Sequence, residues 1–337
     1  MEASQLSNSE PHDAPVEQAD EANPSTVEDV AVDEATEADD QPAPSVPKLR
    51  PATRIIALMN QKGGVGKTTT SANLGAALAE AGYRVLMIDL DPQAHLTLHL
   101  GVNPDELDVS VYDVLTNENV SAMEVALEIS NNLVVLPAEV NLAGAETELA
   151  IQAEHGQPQQ ILRKQCQALL GHGYDQLHER LPEAPAHNPN INFDYVLIDC
   201  PPSLGMLTMN ALAMAQEVFV PMQAHFLALQ GLSKLLETVR LVQDAVNPDL
   251  RVSGVVLCMH EAQTILAGEV VADLEGFFDE ARGTDAPWAD ANVLSPPIRR
   301  NIKLAESPSF GKTIFDYEPN CPGAQDYRAL AKTVTRM

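Results

Sequence analysis

Residues 60–70 read Asn60-Gln61-Lys62-Gly63-Gly64-Val65-Gly66-Lys67-Thr68-Thr69-Thr70. Glycines followed by Lys-Thr fit the spacing of a loop that wraps phosphate at the start of a helix. Gly63, Gly64 and Gly66 admit positive φ and leave no Cβ in the way, so backbone N–H groups can turn onto phosphate oxygens. A helix beginning near Lys67 adds the positive end of its dipole. The expected nucleotide-binding set is therefore Lys62, Gly63, Gly64, Val65, Gly66, Lys67, Thr68 and Thr69. Within it, Lys67 carries a mobile full charge and the Thr68 hydroxyl suits Mg2+. Lys62 is the unusual member, because a phosphate loop needs only one lysine. Five residues before Lys67, it suggests a side chain that reaches the phosphate of a facing copy and couples ATP binding to dimerisation.

The flanks supply the context that such a loop requires. Arg54–Met59 reads as a short buried strand, and Thr69–Ala81 as a helix ended by Gly82. Further candidate strands are Arg84–Asp89, Leu133–Leu136, Asp194–Asp199, Glu217–Met222, Val252–Leu257 and a short one near Asn292–Leu294. Helices such as Leu229–Val246 and Ala267–Glu280 alternate with them. The pattern predicts an α/β fold, a mostly parallel doubly wound sheet with helices on both faces. Low aromatic content, 4% against 45% hydrophobic residues, suits aliphatic parallel strands.

Residues 1–50 are rich in Asp, Glu, Ala, Pro and Ser and are expected to be a disordered acidic leader. The rest, 51–337, is expected to be a single P-loop ATPase domain with a surface insertion at about 154–193. That insertion combines a helical piece, Gln160–Leu170, with a Gly-, His- and Pro-rich stretch. His155, His172, His178 and His187 lie there with Cys166, but no two stand at a metal-ligand spacing. Four scattered cysteines, Cys166, Cys200, Cys258 and Cys321, show no CxxC pair and read as small buried hydrophobes in a reducing cytoplasm. No run reaches the about 18 apolar residues of a membrane span.

The net charge of −28 is unevenly spread. Residues 1–47 hold 13 Asp/Glu and no Lys/Arg, while 48–88, with the phosphate loop, are net +5 and 295–337 net +3. The leader is either a solvating segment or an electrostatic competitor that lies over a basic surface.

Two strand ends carry carboxylates toward the crevice of an open sheet. Met87-Ile88-Asp89-Leu90-Asp91-Pro92-Gln93 offers one carboxylate to orient water and another to brace the loop. Asp89 and Asp91 point the same way if the strand persists, but Pro92 is expected to end it. Asp194–Asp199, followed by Cys200-Pro201-Pro202, has the Walker B pattern. Asp199 would hold the Mg2+ shell, and Pro201–Gly205 would act as a switch loop sensing the γ-phosphate. Cys200 has no identifiable base nearby and is rejected as a nucleophile. Arg299-Arg300-Asn301-Ile302-Lys303, with Lys312 beyond, is the main basic cluster. It contacts DNA phosphates, contacts nucleotide, or decorates a surface. Interleaved aromatics are absent, so any DNA contact would run to the backbone and tolerate any sequence.

With these residues in view, the chain resembles the ParA/Soj partition ATPases of the deviant-Walker-A group that includes MinD. The resemblance spans about 53–336. It rests on 60–70, 85–93 (VLMIDLDPQ), 142–149 (LAGAETEL), 195–205 (YVLIDCPPSLG), 227–232 (LALQGL) and 298–317 (IRRNIKLAESPSFGKTIFDY). It implies a slow, partner-stimulated Mg2+-dependent ATPase, a homodimer when ATP-bound, non-specific DNA binding, a ParB-type partner and a nucleoid-associated cytoplasmic protein with no membrane contact. By position, it implies Lys62, Lys67 and Asp91 as catalytic residues, with Thr68 as Mg2+ ligand and Asp199 and Asp91 acting through water. Arg300 and Lys303 are the implied DNA contacts. Three features depart from the family pattern: Gln263 where an Arg is frequent, His225-Phe226 where an acidic-aromatic pair is common, and the extra leader and insertion. An orphan ParA/MinD-like regulator that positions a protein or membrane-associated cargo is the alternative.

Overall fold

Continuous aliphatic strands such as Ile55-Ile56-Ala57-Leu58 form where both faces of a sheet are covered, and all four of these residues are fully buried. The computed structural model describes residues 53–152, 156–173, 193–225, 228–261 and 263–337. Its strands are β1 (Arg54–Leu58), β2 (Val85–Asp89), β3 (Leu127–Ser130), β4 (Leu133–Leu136), β5 (Tyr195–Asp199), β6 (Glu217–Met222), β7 (Arg251–Leu257) and β8 (Asn292–Leu294). They form one sheet in the order β3-β4-β2-β5-β1-β6-β7-β8. Every pairing is parallel except β3 with β4.

Alternation along each strand divides the core between the two faces. Ile55, Ala57, Val196 and Ile198 join one apolar cluster, whereas Ile56, Leu58, Tyr195 and Leu197 join the other. The second face is covered by the helix Lys67–Glu80 and the C-terminal helix Pro322–Val334, whose Tyr327, Leu330, Ala331 and Val334 are buried. The first is covered by Leu142–Gln152, Met206–Met214, Ala228–Ala245 and Ile265–Ala281. The expected fold class therefore holds, and the expected strands are present with ends moved by one residue.

Two expectations are corrected. β3 was not expected, because it is only four residues long and, although Leu127-Glu128-Ile129-Ser130 alternates apolar with polar, three of the four are exposed. It is an antiparallel edge strand, fixed by its pairing to β4. The described part of the expected surface insertion also contributes to the core: Leu162, Cys166 and Leu169 are fully buried, while Gly156, Gln157, Lys164 and Ala168 stay exposed. Asn210 fastens it, accepting from Leu162 N at 3.0 Å and donating to Pro158 O at 2.8 Å. The single expected helix there is broken into a 3-10 turn Pro158–Gln160, an α-helix Ile161–Gln165 and a π turn Leu169–Gly173. The leader and residues 174–192, with His178 and His187, lie outside the described residues, as do His155 and Phe226. All four cysteines are buried and free.

Candidate nucleotide site

Parallel register brings the chemistry together. Leu58 and Asp89 both pair with Asp199, so the loops leaving β1, β2 and β5 emerge side by side at one edge of the sheet. The loop after β1 is shaped by Asn60, whose Nδ2 donates to Pro221 O (2.9 Å) and whose Oδ1 accepts from Lys62 N (3.0 Å). Gly64 and Gly66 have φ of +70° and +96°, a conformation that costs a side-chain-bearing residue strain. At Gly66 a Cβ would also stand 3.1 Å from Cys258 Cβ. The loop delivers Lys67, buried, to the first residue of its helix. Val65 is buried beneath the loop, while Gly63 and Gly64 are exposed above it.

Thr68 Oγ1 donates to Asp199 Oδ2 at 2.7 Å, and Ser71 Oγ donates to Oδ1 at 2.8 Å. Asp199 is fully buried, and burial pushes its carboxyl up to about 6 against the pull of Thr68, Ser71 and Lys67. β2 ends at Asp89, so the period-2 rule does not carry on to Asp91, and the two carboxylates have different partners. Asp89 braces the turn: its carboxylate accepts from Asp91 N (3.1 Å), Thr97 N (2.9 Å) and Thr97 Oγ1 (2.8 Å). Burial and then the neighbouring Asp199 push Asp89 up to about 7. Asp91 accepts from Gln93 N (3.0 Å) and lines the cleft.

That cleft encloses about 880 Å³ between the phosphate loop, Asp91, Gln93, Pro201–Ser203 and Pro308–Ser309. A second, more apolar cleft of about 450 Å³ shares Gly66 and Thr69 with the loop and continues past Met259, Ile298, Arg300 and Asn301. Size and lining fit a nucleotide, with phosphates at the loop and an apolar space beside it. The metal set fits Mg2+, since a hydroxyl and a carboxylate offer hard oxygens. Among the described residues no three His, Cys, Asp or Glu converge, so such an ion would complete its shell with phosphate and water.

Lys62 is placed unlike Lys67. It is exposed, and its Nζ lies 2.5 Å from His225 Nε2, so the ammonium donates to the ring nitrogen and leaves its own loop uncovered. Glu146, inside the Leu142–Leu149 motif, has a function that sequence reading missed. Its carboxylate accepts from the first N–H groups of the helix Met206–Met214, those of Met206 and, at 3.4 Å, Leu207. A Cβ on Gly205 would collide with that carboxylate, so the end of the Pro201–Gly205 loop is pinned from across the cleft. The motif was legible, but the cap was not, since 60 residues separate the partners.

The basic cluster is largely neutralised. Arg299 pairs with Asp326 (2.7 Å), Arg300 with Glu261 (3.0 Å) and Lys303 with Glu306 (2.9 Å). Arg300 is well exposed, with 76% of its side-chain surface free, and lines the second cleft. Lys303 lies 5.7 Å over the Tyr317 ring, which stacks with exposed Phe310 at 5.0 Å. The aromatics missing from the linear cluster are thus brought beside it by the fold. Gln263 is exposed.

The profile of a family described as an AAA domain matches residues 53–252. The sporulation initiation inhibitor protein Soj of Bacillus subtilis is 41% identical over 83% of this chain and 98% of its own. The chromosome partitioning protein ParA of Caulobacter vibrioides is 39% identical over 83% of this chain and 93% of its own. Among solved structures, the cobyrinic acid a,c-diamide synthase from Mycobacterium smegmatis, with bound ATP analog and magnesium, superposes with a TM-score of 0.63. It is 35% identical, covering 84% of this chain and 95% of that one.

Proposed function

The chain belongs to the Soj/ParA family of chromosome-partitioning ATPases, and on that premise we propose that it works as an ATP-gated dimer that holds DNA. It is an ATPase that uses ATP and Mg2+. Thr68 directly, and Asp199 and Asp91 through water, would hold the ion, which neutralises phosphate charge. Lys67 and the Gly63–Thr69 backbone bind the phosphates and fix their orientation. Asp91 accepts a hydrogen bond from the attacking water and so aims it. Lys62, from a facing subunit, reaches the phosphate and makes dimer closure depend on ATP. The closed dimer binds DNA non-specifically through Arg300 and Lys303 on the nucleoid, and a ParB-type partner triggers hydrolysis and release.

The observation that carries this reading is the division between the lysines. Lys67 is buried at its own loop, whereas Lys62 is exposed and held off that loop by His225. An amidating activity, such as the name of the Mycobacterium smegmatis synthase describes, has no substrate motif in this sequence to support it, and the cysteines offer no reactive thiol or cluster spacing. All four are buried, and burial raises the thiols of Cys166, Cys200 and Cys258. The alternative, a regulator that positions protein cargo, is favoured by the pairing of Arg300 and Lys303 with carboxylates. A membrane-associated version gains nothing from the C-terminal helix, whose apolar face is spent in the core. Among the described residues no helix is long and apolar enough to cross a membrane. Binding of a labelled duplex without nucleotide, with ADP and with ATP, across a salt series, separates the readings. ATP-dependent, salt-sensitive binding is expected; binding that ignores nucleotide, or none, would leave the protein-cargo reading in its place.

A further inference from the structure

Residues 299–314 are fastened at both ends to the helix that carries Lys67. At one end Asp326, in the C-terminal helix, accepts from Arg299 N at 3.0 Å and from its guanidinium at 2.9 and 2.7 Å. The next residue, Tyr327, is 1% exposed, and its hydroxyl lies 3.2 Å from Thr70 Oγ1, three residues after Lys67. Thr70 Oγ1 is also 3.4 Å from Sγ of Cys258, the residue that leaves little room for a Cβ on Gly66. At the other end Ile314 N donates to Asn73 Oδ1 at 2.7 Å, on the same helix.

Between these ends the segment leans on the element that follows Asp91. Ser307 Oγ lies 3.5 Å from the ring nitrogen of buried His99. Gly101 and Gly311 pack so closely that a Cβ on either would stand 2.9 Å from the other's backbone. Only bare backbones can meet at that separation.

We propose that Asp326 and Tyr327 are positioning residues that lock the phosphate loop to residues 299–314, so that nucleotide in the loop orders this basic segment. The proposal rests on the nucleotide reading above and adds how occupancy reaches Arg300 and Lys303. A ligand shifts only what it contacts differently in two states. Here Gly66 and Thr69 line the same cleft as Arg300 and Asn301, so a nucleotide that filled it would meet both ends of the connection. Asp326 and Tyr327 are adjacent on one helix, so a displacement of Thr70 is passed to Arg299 through a rigid element rather than along a loop.

Hydrogen exchange of the full chain, without nucleotide and with saturating Mg-ADP or a slowly hydrolysed ATP analogue, tests this. In the native chain nucleotide should slow exchange in both 67–80 and 299–314, approaching about 100-fold at ligand 100-fold above its Kd. In Asp326→Asn and in Tyr327→Phe, protection of 67–80 should persist while that of 299–314 falls by on the order of tenfold. Unaltered exchange in β4 in the absence of ligand establishes that each variant is folded. Because the readout is the change on adding nucleotide, general loosening of either variant does not mimic it. Native protection confined to 67–80, or full protection of 299–314 in both variants, would overturn the proposal. Absence of protection at 67–80 itself would instead sink the nucleotide reading.

Discussion

Lys62 and Lys67 are the same residue type five positions apart, and their surroundings are opposite. Lys67 is buried at a helix start, where in the proposed function its charge would meet the phosphate in its own loop. Lys62 stands in solvent against a neutral ring nitrogen, a weak partner that a phosphate can replace. Lys62→Ala should therefore retain ATP binding and lose ATP-dependent dimerisation, as read by sedimentation velocity with and without ATP; a variant that still dimerises would remove the cross-subunit role. Asp91→Ala should trap the ATP-bound dimer and lower single-turnover hydrolysis by about 100-fold or more, the usual worth of a positioned base. Unaltered turnover would take Asp91 out of the mechanism. His99 yields a pH prediction. Burial pushes it down to about 4, against the Lys312 backbone, so the folded chain disfavours its cation. Its contribution to stability is present above its ordinary value of about 6.5 and is lost as pH falls from there toward 4, up to about 3 kcal/mol. His99→Gln should flatten the fall in melting temperature over that window, and an equally steep fall would contradict the assignment. Most of these residues were legible from type and spacing. The division between Asp89 and Asp91 was expected in outline, but the bonds from Thr97 that fix Asp89 were not, because they join residues on either side of a turn.

The elements around the site act as clamps. Helix Met206–Met214 begins without a side-chain cap of its own and takes one from Glu146 on another helix. Glu146→Ala should leave those N–H groups unsatisfied and destabilise the chain by about 1–2 kcal/mol in urea unfolding. Glu146→Gln, which keeps one acceptor, should recover part of the loss; no difference between Ala and native would mean that water serves equally well. Strands buried on both faces announced themselves as aliphatic runs, so seven of the eight were readable. β3 was hidden because an exposed edge strand is defined by its neighbour and not by its own pattern. The segment 156–173 misled for the opposite reason. Its polar, broken sequence resembles a surface loop, yet Leu162, Cys166 and Leu169 fill a gap in the core.

Across the whole molecule, charge in the sequence and charge in the fold differ. The C-terminal region is net positive, yet Arg299, Arg300, Lys303 and Arg328 each meet a carboxylate within 3.0 Å. Removing residues 1–47 should leave the dependence of DNA affinity on salt unchanged, the outcome expected of a leader that only solvates the chain. Tighter binding with a steeper slope after the deletion would instead establish the leader as a competitor. By itself the sequence determined the phosphate loop, the parallel aliphatic sheet and the family, because glycine spacing, strand-end carboxylates and hydrophobic period are local properties of the chain. Only the tertiary structure decided that Asp89 braces the turn through Thr97, that Glu146 caps a distant helix, and that the basic cluster is paired and tied to the loop through Asp326 and Tyr327. Each of those depends on partners far apart in sequence, whose meeting is set by packing and not by any pattern along the chain.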